Sequence, residues 1–250
     1  SAFFILYYVS FLCIHFSCGI PGSAIPRLDT MCLSKHTCNM KLANAFTSVR
    51  IVFAPVFFLI YFIPIWTGRF AGLSAALMIP LLACMEFTDF LDGFFARKNR
   101  EVSDFGKMFD PFADVIVHLT TFTCFMYSFA ASVKSYLPVW IFVLILYREF
   151  SQNFLRMVAA KQGTAIAARK GGKLKTVFYV ASGFVCLVPE CALRFYAARG
   201  GEAGGIVSAV VQHTAVWKNA ALGMFIVSLA LCYISFVDYL VHFKSVLKDM

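Results

Sequence analysis

From residue 40 onward, apolar runs of about 18 to 25 residues alternate with short polar stretches, and each run is long enough to cross a hydrocarbon layer of roughly 30 Å as a helix. The pattern predicts spans near Ala45–Trp66, Phe70–Arg97, Gly106–Ser132, Leu137–Ala160, Lys175–Phe195 and Ala220–Phe243. The fold class that follows is an all-α integral membrane protein of about six core transmembrane helices. Residues 1–39 read differently. Phe3 to Ile20 is a further hydrophobic segment, broken by Pro21, Gly22 and Pro26, and Ser34 to Asn39 is polar. Because Met40-Lys41-Leu42-Ala43-Asn44 looks like a natural start, residues 1–39 are expected to be an extension or a dispensable anchor, and residues 40–250 the membrane domain. A signal peptide is the competing reading, but a basic n-region is missing.

Composition agrees with the pattern. The 250 residues are 60% hydrophobic, with 29 Phe, and only 14% are charged. Mean hydropathy is +0.78. One soluble core cannot hide that much apolar surface, so a multi-pass membrane protein is the default class. The net charge of +9 excludes little by itself. Without a basic, aromatic-interleaved polar domain it points to loops that meet anionic headgroups and phosphorylated substrates, and not to nucleic acid. The nine cysteines show neither zinc-ligand spacing nor a disulfide framework, and most lie in expected spans, where Cys behaves as a small apolar residue.

Orientation follows from Lys and Arg. Arg97, Lys98, Arg100 and Lys107 lie around one turn, and Lys161, Arg169, Lys170, Lys173 and Lys175 around another on the same side. The opposite loops hold Arg69, Lys134, Arg194, Arg199 and Lys218. The positive-inside rule then places the first group, and the chain ends counted from Met40, in the cytoplasm. Gly200 to Gly205, rich in glycine, is expected to be a flexible external loop.

The stretch Asp89 to Asp114 carries the candidate chemistry. Its carboxylates sit among Phe, Leu, Ala and Val, and an ionisable group in such surroundings is a functional-site hypothesis by default. Asp89 and Asp92, three apart, share one helix face. Gly106, Asp110 and Asp114, four apart, form a stripe on the next helix. Arg97 to Asp104 reads as the turn between them. Four oxygen ligands with neither Cys nor His among them suit one or two hard divalent ions, Mg2+ or Mn2+, better than zinc. On a soluble helix such pairs are usually a solvated face, but here the flanks are apolar.

The full pattern, D-x2-D-G-x2-A-R-x8-G-x3-D-x3-D from Asp89 to Asp114, resembles the signature of the CDP-alcohol phosphatidyltransferase family. The resemblance implies transfer of a substituted phosphoryl group from a CDP-linked donor to an alcohol, with release of CMP, and a homodimer. By the same resemblance Asp89, Asp92, Asp110 and Asp114 are metal ligands, and Asp114 is also the candidate general base. Gly93, Ala96 and Gly106 leave room for nucleotide, and Arg97 contacts phosphate. Asn44 and Thr47 resemble the first-helix part of the nucleotide pocket, although such residues also commonly bond neighbouring membrane helices.

The acceptor is read from Arg148-Glu149, Arg156 and Gly172-Lys173-Leu174-Lys175-Thr176. An Arg and a Glu this deep in an apolar helix need partners, and pairing with each other or with the Asp cluster is the structural explanation. The functional one is an anionic-acceptor pocket in which Arg148, Arg156 and Lys175 bind a phosphate. R-E-x6-R followed by G-K-x-K-T looks like the bacterial phosphatidylglycerophosphate synthases within the family. That likeness implies CDP-diacylglycerol as donor, sn-glycerol 3-phosphate as acceptor, phosphatidylglycerophosphate and CMP as products, and a site facing the cytoplasm in the bacterial inner membrane. Inositol phosphate, inositol, serine or choline is the alternative acceptor. A cation-coupled transporter is the alternative class, against which stand the missing inverted repeat and the surface position of the Asp turn. His118, one turn past Asp114, is read as a packed residue before a catalytic one. Neither a Ser-His-Asp grouping nor a P-loop is evident.

Overall fold

A computed structural model describes residues 30–99, 104–161, 170–202 and 204–242, with side chains described for 47–91, 109–159, 174–202 and 204–241. Among these residues every regular element is a helix: α1 Thr30–Thr67, α2 Ala71–Asn99, α3 Asp104–Phe125, α4 Val139–Lys161, α5 Lys170–Ala198, α6 Ile206–Gln212 and α7 Thr214–His242. Four segments are long and apolar enough to cross a membrane, Thr47–Thr67, Ala71–Leu91, Leu174–Ala198 and Thr214–Val241. They match the first, second, fifth and sixth expected spans. The third and fourth coincide with α3 and α4, whose charged residues (Asp110 and Asp114; Arg148, Glu149 and Arg156) lower their hydropathy.

Several boundaries differ from expectation. Residues 30–39, expected to lie outside the first span, are the opening turns of α1. The third helix ends at Phe125, not near Ser132. Residues 126–138 form turns instead, because the Phe125 carbonyl accepts the N–H groups of Tyr136 and Leu137 at 3.0 Å each, and Glu190 accepts from the Ser128 hydroxyl at 2.7 Å and the Phe129 N–H at 2.9 Å. Arg194, counted above among the loop cations, lies inside α5 and is fully buried. After α5 the chain turns at Gly200 and Gly201, which take φ of 70° and 90°, open to residues without a Cβ. A short helix that the pattern does not signal, α6, follows it.

The chain divides into two compact units. One takes the chain up to Val56 together with Cys84–Val117; the other takes Phe57–Ala83 and His118 onward. The first unit contains the whole Asp motif.

In the second unit α5 packs on α6 and α7, and α4 packs on α7. Its core is aromatic: the Phe122 ring meets Tyr179 at 4.9 Å and Phe225 at 5.2 Å, both edge-on, the favoured geometry for ring quadrupoles. Gly183 and Gly72 set close helix approaches, since a Cβ on either would come within 3.3 Å of Leu82 or Ala198. A buried ion pair ties three helices together. Glu190 and Arg194, one turn apart on α5, meet at 2.8 Å, and Arg194 also donates to the Tyr61 carbonyl at 2.9 Å and the Ser74 hydroxyl at 2.6 Å. All the described cysteines are free thiols, four of them buried and Cys84 exposed.

Candidate active site

The first unit gathers three of the four motif carboxylates around one face of α1. Thr47 and Arg50 are three residues apart and so project from the same side of that helix. The Thr47 hydroxyl donates to Asp110 Oδ1 at 3.0 Å. Arg50 forks: Nη1 donates to Asp89 Oδ1 on α2, and Nη2 donates to Asp114 Oδ1 on α3 at 2.6 Å. The two contacts to α3 ascend together, Thr47 to Asp110 and Arg50 to Asp114, so α1 and α3 run in the same direction here. Glu86, one turn before Asp89 and half-buried, adds its charge to the same guanidinium.

Burial is one-sided. The Arg50 side chain is 2% exposed, while those of Asp89 and Asp114 are 36% and 39% exposed. The cation therefore lies behind the carboxylates, which stay partly exposed. A planar guanidinium suits this bridging because its N–H groups leave in fixed directions and can hold two carboxylates at a set separation. Asp92, Gly93, Ala96 and Arg97 lie on α2, Asn44 on α1 and Gly106 on α3, but their side chains are outside the described residues. Among the described residues, no three acidic, His or Cys side chains close on one point as metal ligands do.

The acceptor candidates lie in the second unit. Arg148 and Lys175 do converge, and the group they converge on is Glu149. Arg148 Nη1 donates to Glu149 Oε1 at 2.8 Å, Lys175 Nζ donates to Oε1 at 2.7 Å and Oε2 at 3.0 Å, and the Tyr179 hydroxyl donates to Oε1 at 2.9 Å. Arg148 Nε donates to the Cys232 carbonyl of α7 at 2.9 Å. The pairing that Arg148 and Glu149 needed is thus present. The Arg148 side chain is 1% exposed and that of Lys175 14%, so the lysine lies nearer the surface. Arg156, two turns after Arg148, is half-buried. His118 is buried with its ring edge-on to Tyr179 at 5.4 Å, a packed aromatic-cluster residue.

Sequence reasoning missed Arg50 and Tyr179 as parts of these clusters, and it paired Glu149 with Arg148 but not with Lys175. Arg50 left a signal, a lone cation three residues after Thr47 at the edge of an apolar run. Tyr179 left a weaker one, four residues after Lys175 on the same helix face.

A membrane-embedded helical protein whose carboxylates are collected from two helices and shared by a buried cation belongs to the class of polar-site integral membrane proteins. Comparison with known proteins narrows this. The family model of CDP-alcohol phosphatidyltransferase matches residues 40–234, and the chain belongs to that family. A Treponema pallidum protein named CDP-diacylglycerol–glycerol-3-phosphate 3-phosphatidyltransferase is 34% identical over 222 residues, covering 84% of this chain and 92% of the relative. A Bacillus subtilis protein of the same name is 33% identical over 145 residues, covering 54% and 70%. A Mycobacterium tuberculosis protein named probable phosphatidylglycerophosphate synthase is 35% identical over 135 residues, covering 54% and 60%.

Proposed function

We propose that this protein transfers the phosphatidyl group of CDP-diacylglycerol to sn-glycerol 3-phosphate, producing phosphatidylglycerophosphate and CMP. The observation that carries the reading is the gathering of Asp89, Asp110 and Asp114 by Thr47 and Arg50 into one partly open site. The choice of acceptor is supported by the name of the Treponema pallidum relative, which aligns over nearly its whole length.

Asp89, Asp92, Asp110 and Asp114 would hold one or two Mg2+ or Mn2+ ions. The fit rests on the donor set, which is all carboxylate oxygen, and on Asp89 and Asp114 already sharing one cation while partly exposed. When bound, such ions supply charge neutralisation on the diphosphate and polarise the phosphorus. Asp114 takes the proton of the acceptor hydroxyl as general base. The acceptor oxygen forms its bond to the diacylglycerol-bearing phosphorus as the bond from that phosphorus to the CMP oxygen breaks, and CMP leaves. Asn44 and Thr47 line the nucleotide side, Gly93, Ala96 and Gly106 leave it room, and Arg97 meets phosphate. Lys175, the more exposed cation of its cluster, holds the acceptor phosphate with Arg156, and Arg148 keeps Glu149 in place behind it.

In this reading the protein works as a homodimer in the bacterial inner membrane, with the site toward the cytoplasm. Burial of Arg194 removes one cation from the opposite loops and so increases the Lys and Arg asymmetry behind that orientation. The test is CMP release by purified protein with CDP-diacylglycerol and Mg2+ or Mn2+, offered glycerol 3-phosphate, inositol phosphate, inositol, serine or choline. Release only with glycerol 3-phosphate is expected. Release with another alcohol overturns the acceptor, and release with none overturns the transferase reading.

A further inference from the structure

Arg50 occupies two of the oxygens that a divalent ion would use. We propose that it is the resident counter-ion of the carboxylate cluster, holding Asp89 and Asp114 while no ion is bound and giving way to the ion when it arrives. This rests on the metal-binding reading above.

Carboxylates gathered in apolar surroundings repel one another and need a cation nearby. Arg50 meets that need from the buried side, contacting α2 through one nitrogen and α3 through the other. Glu86 brings a further carboxyl to the same place. Yet the guanidinium is not locked on all its donors, because the buried Nε has no acceptor among the described residues. An unmet buried donor makes the arrangement less stable than a fully bonded one, and the flexible arginine stem allows the head to withdraw.

Two opposing effects follow from removing this charge. Loss of the fork frees one side chain for each carboxylate, a modest entropic penalty on ion binding. Loss of the positive charge removes both the competition for the two carboxylate oxygens and the repulsion between a nearby cation and a doubly charged ion. The second effect is the larger. Arg50 therefore weakens intrinsic ion affinity while it stabilises the ion-free protein.

The experiment is Mn2+ binding to purified, substrate-free protein, read from the electron paramagnetic resonance signal of free Mn2+, alongside thermal unfolding in chelator and in Mn2+. Arg50→Gln is expected to bind Mn2+ at least about tenfold more tightly, to unfold at lower temperature in chelator, and to gain more from Mn2+ than the wild type does. Arg50→Lys loses the fork but keeps the charge and is expected to bind within about threefold of wild type. Should Arg50→Gln not be recovered in chelator, purification in Mn2+ must restore it; aggregation under both conditions overturns the proposal, as does binding that is unchanged or weaker. A wild type that binds Mn2+ and releases CMP, beside an Arg50→Gln that binds no tighter, removes this inference alone. A wild type that binds no Mn2+ removes the metal reading together with it.

Discussion

Lys175 holds both oxygens of Glu149, its Nζ lying 2.7 Å from Oε1 and 3.0 Å from Oε2. The lysine opens α5 and the glutamate sits midway along α4, so one ammonium joins two helices and offsets a carboxylate that is almost wholly buried. With Arg148 on the same oxygen, the cluster carries a net positive charge, and Lys175 is its more exposed cation.

If Lys175 meets the acceptor phosphate, Lys175→Met should raise KM for glycerol 3-phosphate by about tenfold or more, the scale of one charge-assisted hydrogen bond. KM for CDP-diacylglycerol should stay within about twofold. Steady-state CMP release with each substrate varied in turn checks this. A rise in both constants, or in neither, would remove Lys175 from the acceptor side.

Glu149→Gln leaves the Arg148 guanidinium buried with its counter-charge gone. Breaking a buried pair on one side costs about 3–5 kcal/mol, so thermal unfolding in detergent should fall sharply. Tyr179→Phe removes only one donor to the same carboxylate and should cost about 1 kcal/mol. An equal effect of the two variants would mean that Glu149 is not the hub.

Glu190 and Arg194 are both completely buried; Glu190 accepts from the turn after α3, and Arg194 donates to α1 and α2. Either Glu190→Leu or Arg194→Met alone should destabilise by about 3–5 kcal/mol, whereas the double variant Glu190→Leu with Arg194→Met should recover a large part of the loss. Unfolding midpoints of the four proteins close the cycle, and simple additivity of the single losses would show that the pair is not coupled.

Asp114→Asn keeps the shape and a hydrogen-bonding oxygen but cannot take a proton at neutral pH. Turnover should drop by at least about 100-fold, the lower range for loss of general-base catalysis. Binding of CDP-diacylglycerol, measured by equilibrium titration, should persist in part. Near-normal turnover would transfer the base role to another group.

Residues close together in sequence determined the helical membrane class and the content of the site. Helix periodicity relates residues three and four apart, so the stripe of Gly106, Asp110 and Asp114 and the shared face of Thr47 and Arg50 can be read without coordinates. The length of apolar runs likewise sets which segments can cross a bilayer, and α1, α2, α5 and α7 meet that requirement. Tertiary structure decided which charge meets which. Arg50 meets Asp89 and Asp114 across 39 and 64 residues, Lys175 meets Glu149 across 26, and Arg194 reaches Tyr61 across 133. Counting cations by expected loop assigned Arg194 to the surface, because its partners are a same-helix glutamate and groups from distant helices that become neighbours only after packing. An apolar run shows that a helix can form, but a buried charge finds its partner only when helices remote in sequence are brought side by side.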